Sequence, residues 1–164
     1  MSWADDHRLG FFWDDATSAP QRRSGLWALD TAAPGHALLS GRRILPIETG
    51  GDTVQYALLT TAGTAIAAVN YNGTAHVGRG TVVGGIVELS AQTGRPLRTL
   101  LAEHAAYSAD PGDPGWYITA CQLAAADRTG RHLLVSCDRF GRLDRGRFTA
   151  LRGAAPQTAA AAAW

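Results

Sequence analysis

Two cysteines are the sharpest chemical feature of this 164-residue sequence. If 117–137 folds as a hairpin centred on Thr129, Cys121 stands opposite Cys137. The same register sets Leu123 against Val135 and Ala125 against Leu133, the uniformly apolar face that a two-residue period requires. Directly opposed Cβ atoms lie about 4.5–5.5 Å apart, wider than the ~3.8 Å of a disulfide. Two buried free thiols are therefore the favoured state, and a disulfide is the alternative, promoted if the protein is exported. Zinc would need more sulfur or nitrogen ligands nearby, and His132 falls on the opposite strand face, so no metal site is expected.

The remaining reactive residues do not assemble into known chemistries. Asp5-Asp6 and Asp14-Asp15 lack the Asp-x-Asp-x-Asp-Gly spacing that arranges calcium ligands, and they read as solvated turn residues. His7, His36, His76, His104 and His132 are scattered, with no i, i+4 pair and no intervening Glu. A Gly-x-Ser-x-Gly nucleophile elbow is missing, Gly78-Arg79-Gly80 has no third glycine at the phosphate-binding distance, and Gly84-Gly85 leads into a strand. No catalytic residue, cofactor-binding residue or metal ligand is assigned, no cofactor is expected, and the chain reads as a non-enzyme. Asn72-Gly73-Thr74 matches a glycosylation acceptor but reads better as an Asn-Gly turn. The aromatic group Phe11, Phe12, Trp13 and Trp27 could form a stacking surface. Alternate strand residues point to opposite faces, however, so core packing is the favoured role.

The elements around these residues are short. Apolar runs of strand length, broken by Gly, Pro, Asp and Thr-Gly, predict an all-β chain with strands at 9–13, 25–29, 43–47, 54–60, 64–69, 85–89, 97–101, 117–123, 131–137 and 147–151. Three units can be laid over one another, each with a turn, a strand, a gap and a hairpin. In the first, the turn at Trp3 to Arg8 precedes Gly25-Leu26-Trp27-Ala28-Leu29; in the second, Thr60-Thr61-Ala62-Gly63 precedes Gly85-Ile86-Val87-Glu88-Leu89. The third runs from Asp127-Arg128-Thr129-Gly130 to Phe140-Gly141-Arg142-Leu143-Asp144. The spacing exceeds a minimal four-stranded repeat, and the excess lies in 14–24, 70–84 and 103–115, which read as loop insertions.

The Asp127-Arg128-Thr129-Gly130-Arg131 turn followed by an apolar strand resembles the Ser-Pro-Asp-Gly turn of TolB-like and WD-repeat-like β-propellers. Gly85-Ile86-Val87-Glu88-Leu89 with Thr93-Gly94 similarly resembles their third strand and its turn. The resemblance covers nearly the whole chain, although the first unit has Asp6-His7 where Asp-Gly is usual and the second has Ala62-Gly63. It implies a single partial β-propeller domain over 1–164, with about three four-stranded blades at 3–48, 52–101 and 116–152 and a C-terminal strand at 158–164. In that family the turn Asp and Gly are structural. A β-sandwich is the alternative fold.

Composition narrows the function. A 46% hydrophobic and 18% charged chain with formal charge +1 has no field to gather nucleic acid and no disorder signature. All 15 basic residues are Arg, a usage that fits a GC-rich genome. The beginning of the chain carries no cationic lead into an apolar run, and no stretch reaches the ~20 apolar residues of a membrane helix, so a cytoplasmic protein is expected. The expected role is a non-catalytic binding or scaffold module whose partner is another protein, met through the insertions around Asn72 and Pro111. The alternative is a propeller module that gates substrate for a hydrolase on another chain. The first unit shows no strand before its turn, so the apolar 158–164 segment is expected to supply one. It would do so within the chain or in a homodimer that completes a six-bladed ring.

Overall fold

Gly, Pro and Asp interrupt the apolar runs before a helix could bury a stripe, while short blocks with β-branched and aromatic residues suit a pleated surface. The computed structural model describes residues 1–14, 23–33, 41–49, 52–71, 82–104, 106–107, 116–117, 121–137 and 139–153. Among them it holds strands and turns and no helix, so the chain is all-β. The first sheet has β1 (Ser2–Trp3), β2 (Arg8–Trp13), β3 (Gly25–Asp30) and β4 (Arg42–Pro46). The second has β5 (Glu48–Thr49), β6 (Asp52–Leu59), β7 (Thr64–Tyr71), β8 (Val82–Ser90) and β9 (Pro96–His104). A two-stranded ribbon, β10 (Ala106–Tyr107) with β11 (Trp116–Tyr117), precedes the third sheet of β12 (Gln122–Ala126), β13 (His132–Ser136), β14 (Phe140–Asp144) and β15 (Arg147–Ala150). In every sheet, strands adjacent in sequence pair antiparallel, giving three successive meanders.

The middle sheet explains the most apolar stretch of the sequence. Ala65, Ala67 and Val69 of β7 join Leu26 and Leu45 of the first sheet in one core, whereas Ile66 and Ala68 join Leu123, Leu133, Val135 and Leu143 of the third sheet in another. Both faces of β7 are covered, so it cannot alternate polar with apolar. Burial of each Leu, Ile or Val in these cores contributes about 1.5–3 kcal/mol before the entropy of ordering is counted. Three stacked layers also exclude the two-sheet sandwich considered from sequence.

The three meanders share local chemistry as well as order. Gly25 and Gly85, placed alike in β3 and β8, both have positive φ, at 138° and 149°. A Cβ on either would fall against the carbonyl of the next strand, Leu45 or Leu101, so only glycine fits there. The matched turns close with backbone bonds of similar span: Ala4 N–H to Arg8 O and Thr60 N–H to Thr64 O across four residues, and Asp127 N–H to His132 O across five.

Several sequence expectations shift. The first meander does have a strand before its turn, because Ser2 pairs with Gly10 and Trp3 with Leu9. Two residues gave too short a run to register as a strand. Phe140–Asp144, counted in the third unit but not among the strands, pairs on both sides as β14. The strand expected at 117–123 is instead divided between β11 and β12, and 118–120 lie outside the described residues. The Thr129-centred register holds at Leu123 opposite Val135, then slips so that Ala125 faces Leu134 and Ala126 faces Leu133. A bulge at Ala124 absorbs the extra residue. The C-terminal segment 158–164, with the strand exchange expected of it, lies outside the described residues, as do the loops around Asn72 and Pro111. Among the described residues no helix is long and apolar enough to cross a membrane.

Candidate functional site

The cysteine pair departs from the free-thiol expectation: Cys121 and Cys137 form a disulfide, with Cα atoms 4.3 Å apart. The reason lies in backbone bonding. Cys121 N–H donates to the Glu103 carboxylate at 3.1 Å and Cys137 N–H donates to Arg139 O, so both amides bond elsewhere and not to each other. Opposed residues that exchange no ladder bonds form the narrow kind of antiparallel pair, with Cα atoms about 4.5 Å apart, which brings the sulfurs within reach. Cys121 is buried against Leu123, Leu133 and Val135, a structural position.

The acidic residues are turn builders. Asp5 accepts from the His7 and Arg8 amides and from Arg8 Nε. The His7 amide above all, then the Arg8 side chain, lowers its pKa to about 2. Asp127 does the same in the third meander, accepting from Thr129 Oγ1 and from the amides of Arg131 and His132. Partial burial pushes its carboxyl up, but those hydrogen bonds outweigh it and the net shift is downward. Asp5, not Asp6, is therefore the counterpart of Asp127. Asp14 is exposed, and Asp15 lies outside the described residues.

His132 Nδ1 meets Asp144 Oδ1 at 2.7 Å, and Arg142 Nε bonds the other oxygen of the same carboxylate. This exposed row lies on the outward face of the third sheet. His7 stands in the first turn, His104 closes β9, and His36 and His76 are outside the described residues. Among the described residues no three His, Cys, Asp or Glu side chains gather where a metal could be held.

The aromatic group divides between the faces of the first sheet. Phe12 packs inward on Tyr56, with ring centroids 5.6 Å apart. Phe11 and Trp27, cross-strand partners, stack at 6.4 Å on the opposite face, and Trp27 Nε1 donates to Arg23 O. Phe11 is buried, whereas Trp13 remains 40% exposed. Core packing thus accounts for Phe11 and Phe12 but not for Trp13.

Two cavities open where the turns gather. One, of about 470 Å³, lies among the strands that lead into the three matched turns: Ser2 and Trp3 of β1, Tyr56 and Leu58 of β6, Ala124 to Ala126 of β12, with Arg128 at its rim. The other, of about 300 Å³, lies between the first two sheets and is lined by Arg8, Asp30, Arg42, Ile44, Leu59 and Gln92 among others. Leu59 borders both. Sequence reading missed these surfaces because they combine residues from two or three meanders, and no local pattern marks Trp3, Tyr56 and Arg128 as neighbours. No family model matches the chain, and no curated protein or solved structure was found to be similar to it.

Proposed function

We propose that this chain is a β-propeller-type module of three blades that binds another protein and carries out no catalysis itself. The observation that carries the reading is the convergence of β1, β6 and β12, the strands that lead into the three matched turns, on one cavity at the turn end. Repeated sheets that cover one another leave turns and inner-strand edges as the variable surface, and in such folds that surface meets the ligand. A cavity of this size with mixed apolar and polar walls suits a side chain or short segment of a partner. The resemblance of the Asp127-to-Arg131 turn to TolB-like and WD-repeat-like propellers points the same way.

The test joins shape to chemistry. Small-angle scattering with light-scattering molar mass is expected to give a single chain of 17.3 kDa with the profile of an open three-layer stack. Generic ester, peptide and phosphate substrates are expected to remain unconverted. Turnover that survives repurification and is lost on mutating one Ser, His or Asp overturns the reading.

A further inference from the structure

Charge is unevenly distributed at the turn end. The turns of the third sheet and the strand ends beside them carry Arg128, Arg131, Arg142, Arg145 and Arg147 against only Asp127 and Asp144. That is a local surplus of three positive charges in a chain whose total is +1. The two carboxylates are already occupied, Asp127 by its own turn and Asp144 by His132 and Arg142. Arg128, Arg131, Arg145 and Arg147 are exposed, and none of them makes an ion pair among the described residues. Arg145 N–H to Arg131 O ties the two turns side by side, so the four guanidinium groups share one end of one sheet.

A second observation singles out the same place. Asp144 and Arg147 pair across a two-residue turn in which Arg145 has φ 49° and Gly146 φ 84°. Positive φ at both central positions is the type I′ hairpin turn, for which Asn-Gly or Gly-Gly is the low-energy choice. Among the described residues Arg145 is the one non-glycine with positive φ. An arginine held in an unfavourable conformation at an exposed tip points to a use for its guanidinium.

We infer that this arginine-bearing end of the third sheet docks an acidic segment of a partner protein. The inference rests on the binding-module reading and names the class of partner. Guanidinium forks match carboxylates two bonds at a time, and clusters of them are a recurrent means of holding acidic motifs. A nucleic acid is the weaker fit. Its charge extends well beyond two hairpin turns, whereas the remainder of this chain is net acidic.

The probe is a fluorescein-labelled peptide of roughly ten residues, rich in Glu and Asp, followed by anisotropy. Saturable binding is expected, weakening from roughly 0.05 to 0.2 M salt. The combined Arg128→Gln, Arg131→Gln, Arg145→Gln and Arg147→Gln variant is expected to bind at least about tenfold more weakly. The control variant Arg139→Gln with Arg152→Gln, away from these turns, is expected to bind as the parent does. Arg145→Asn keeps the assay decisive should the combined variant fold poorly, since it should raise the melting temperature while weakening the peptide. Equal affinity in parent and combined variant, no binding by the parent, or a raised melting temperature without loss of affinity in Arg145→Asn overturns the assignment. So does an equally long single-stranded DNA that binds more tightly through the same arginines. Any of these outcomes, with scattering and turnover as expected, removes the docking surface alone, whereas catalytic turnover removes the module reading whatever the peptide does.

Discussion

Reduction of Cys121–Cys137 offers the most quantitative probe of the third sheet. The bond joins residues 16 apart at the open end of the β12–β13 hairpin. Releasing a loop of this length returns about 3 kcal/mol of conformational freedom to the unfolded chain. For a chain of this size each kcal/mol moves the melting midpoint by about 2–4 °C, so reduction should lower it by about 6–12 °C. The reduced thiols still fill the space beside Leu123, Leu133 and Val135, whereas Cys121→Ala with Cys137→Ala empties part of that core and should cost about 1 kcal/mol more. The expected order of stability is oxidised, then reduced, then double alanine. Urea melts with and without a phosphine reductant measure the differences, and thiol titration of the denatured, unreduced protein should find no free thiol. Two free thiols in that titration, or coincident oxidised and reduced melts, would refute the argument from backbone bonding to disulfide.

Glycine positions sort by their surroundings: Gly85→Ala, set against the Leu101 carbonyl, should cost of the order of 3 kcal/mol, whereas Gly63→Ala, with open space around it, should cost about 1, both read from urea midpoints. Core and surface should part as clearly, with Leu26→Ala losing about 2–5 kcal/mol and Trp13→Ala, at 40% exposure, less than about 1. Asp5 has its pKa lowered to about 2 from 3.8, so its hydrogen bonds stabilise the fold fully above pH 3.8 and are lost as pH falls through 2. The carboxyl carbon of Asp5 followed by NMR should titrate near 2, and a midpoint near 3.8 would show that the turn does not hold it.

What the sequence disclosed follows from where the determining forces act. The meander order was legible because each hairpin is local: Thr60 to Gly63 and Asp127 to Gly130 are turn residues, and the flanking runs are of strand length. Positions 25 and 85 could be matched before any coordinates because glycine is required in both by the neighbouring strand's backbone. The bulge at Ala124 could not be anticipated, since Ala124, Ala125 and Ala126 offer no side-chain contrast to fix which residue is extruded. The disulfide was misjudged for a related reason. Whether an opposed pair is the narrow or the wide kind depends on where its amides bond, and Glu103, which takes the Cys121 amide, lies on a different sheet. The cavity among β1, β6 and β12 is a product of sheet stacking, a level that strand-by-strand reading does not reach.

Stacking also bears on whether a second copy could close a ring. In a closed circle of sheets every member needs two apolar faces. Among the three sheets here the middle one has its two faces in the two cores, and its residues are apolar on both sides. The third sheet turns Leu133, Val135 and Leu143 inward and presents His132, Arg142 and Asp144 on the other face, where the Asp144 carboxylate bonds both His132 and Arg142. Covering that row with an apolar sheet face would set charged and polar groups against hydrocarbon. Hydrocarbon cannot replace the water that such groups would lose, so this row differs in kind from the two apolar faces of the middle sheet. The alternation in β13 and β14 therefore gives the third sheet one apolar face and one polar face, with the exposed arginine-bearing turns beside the polar one.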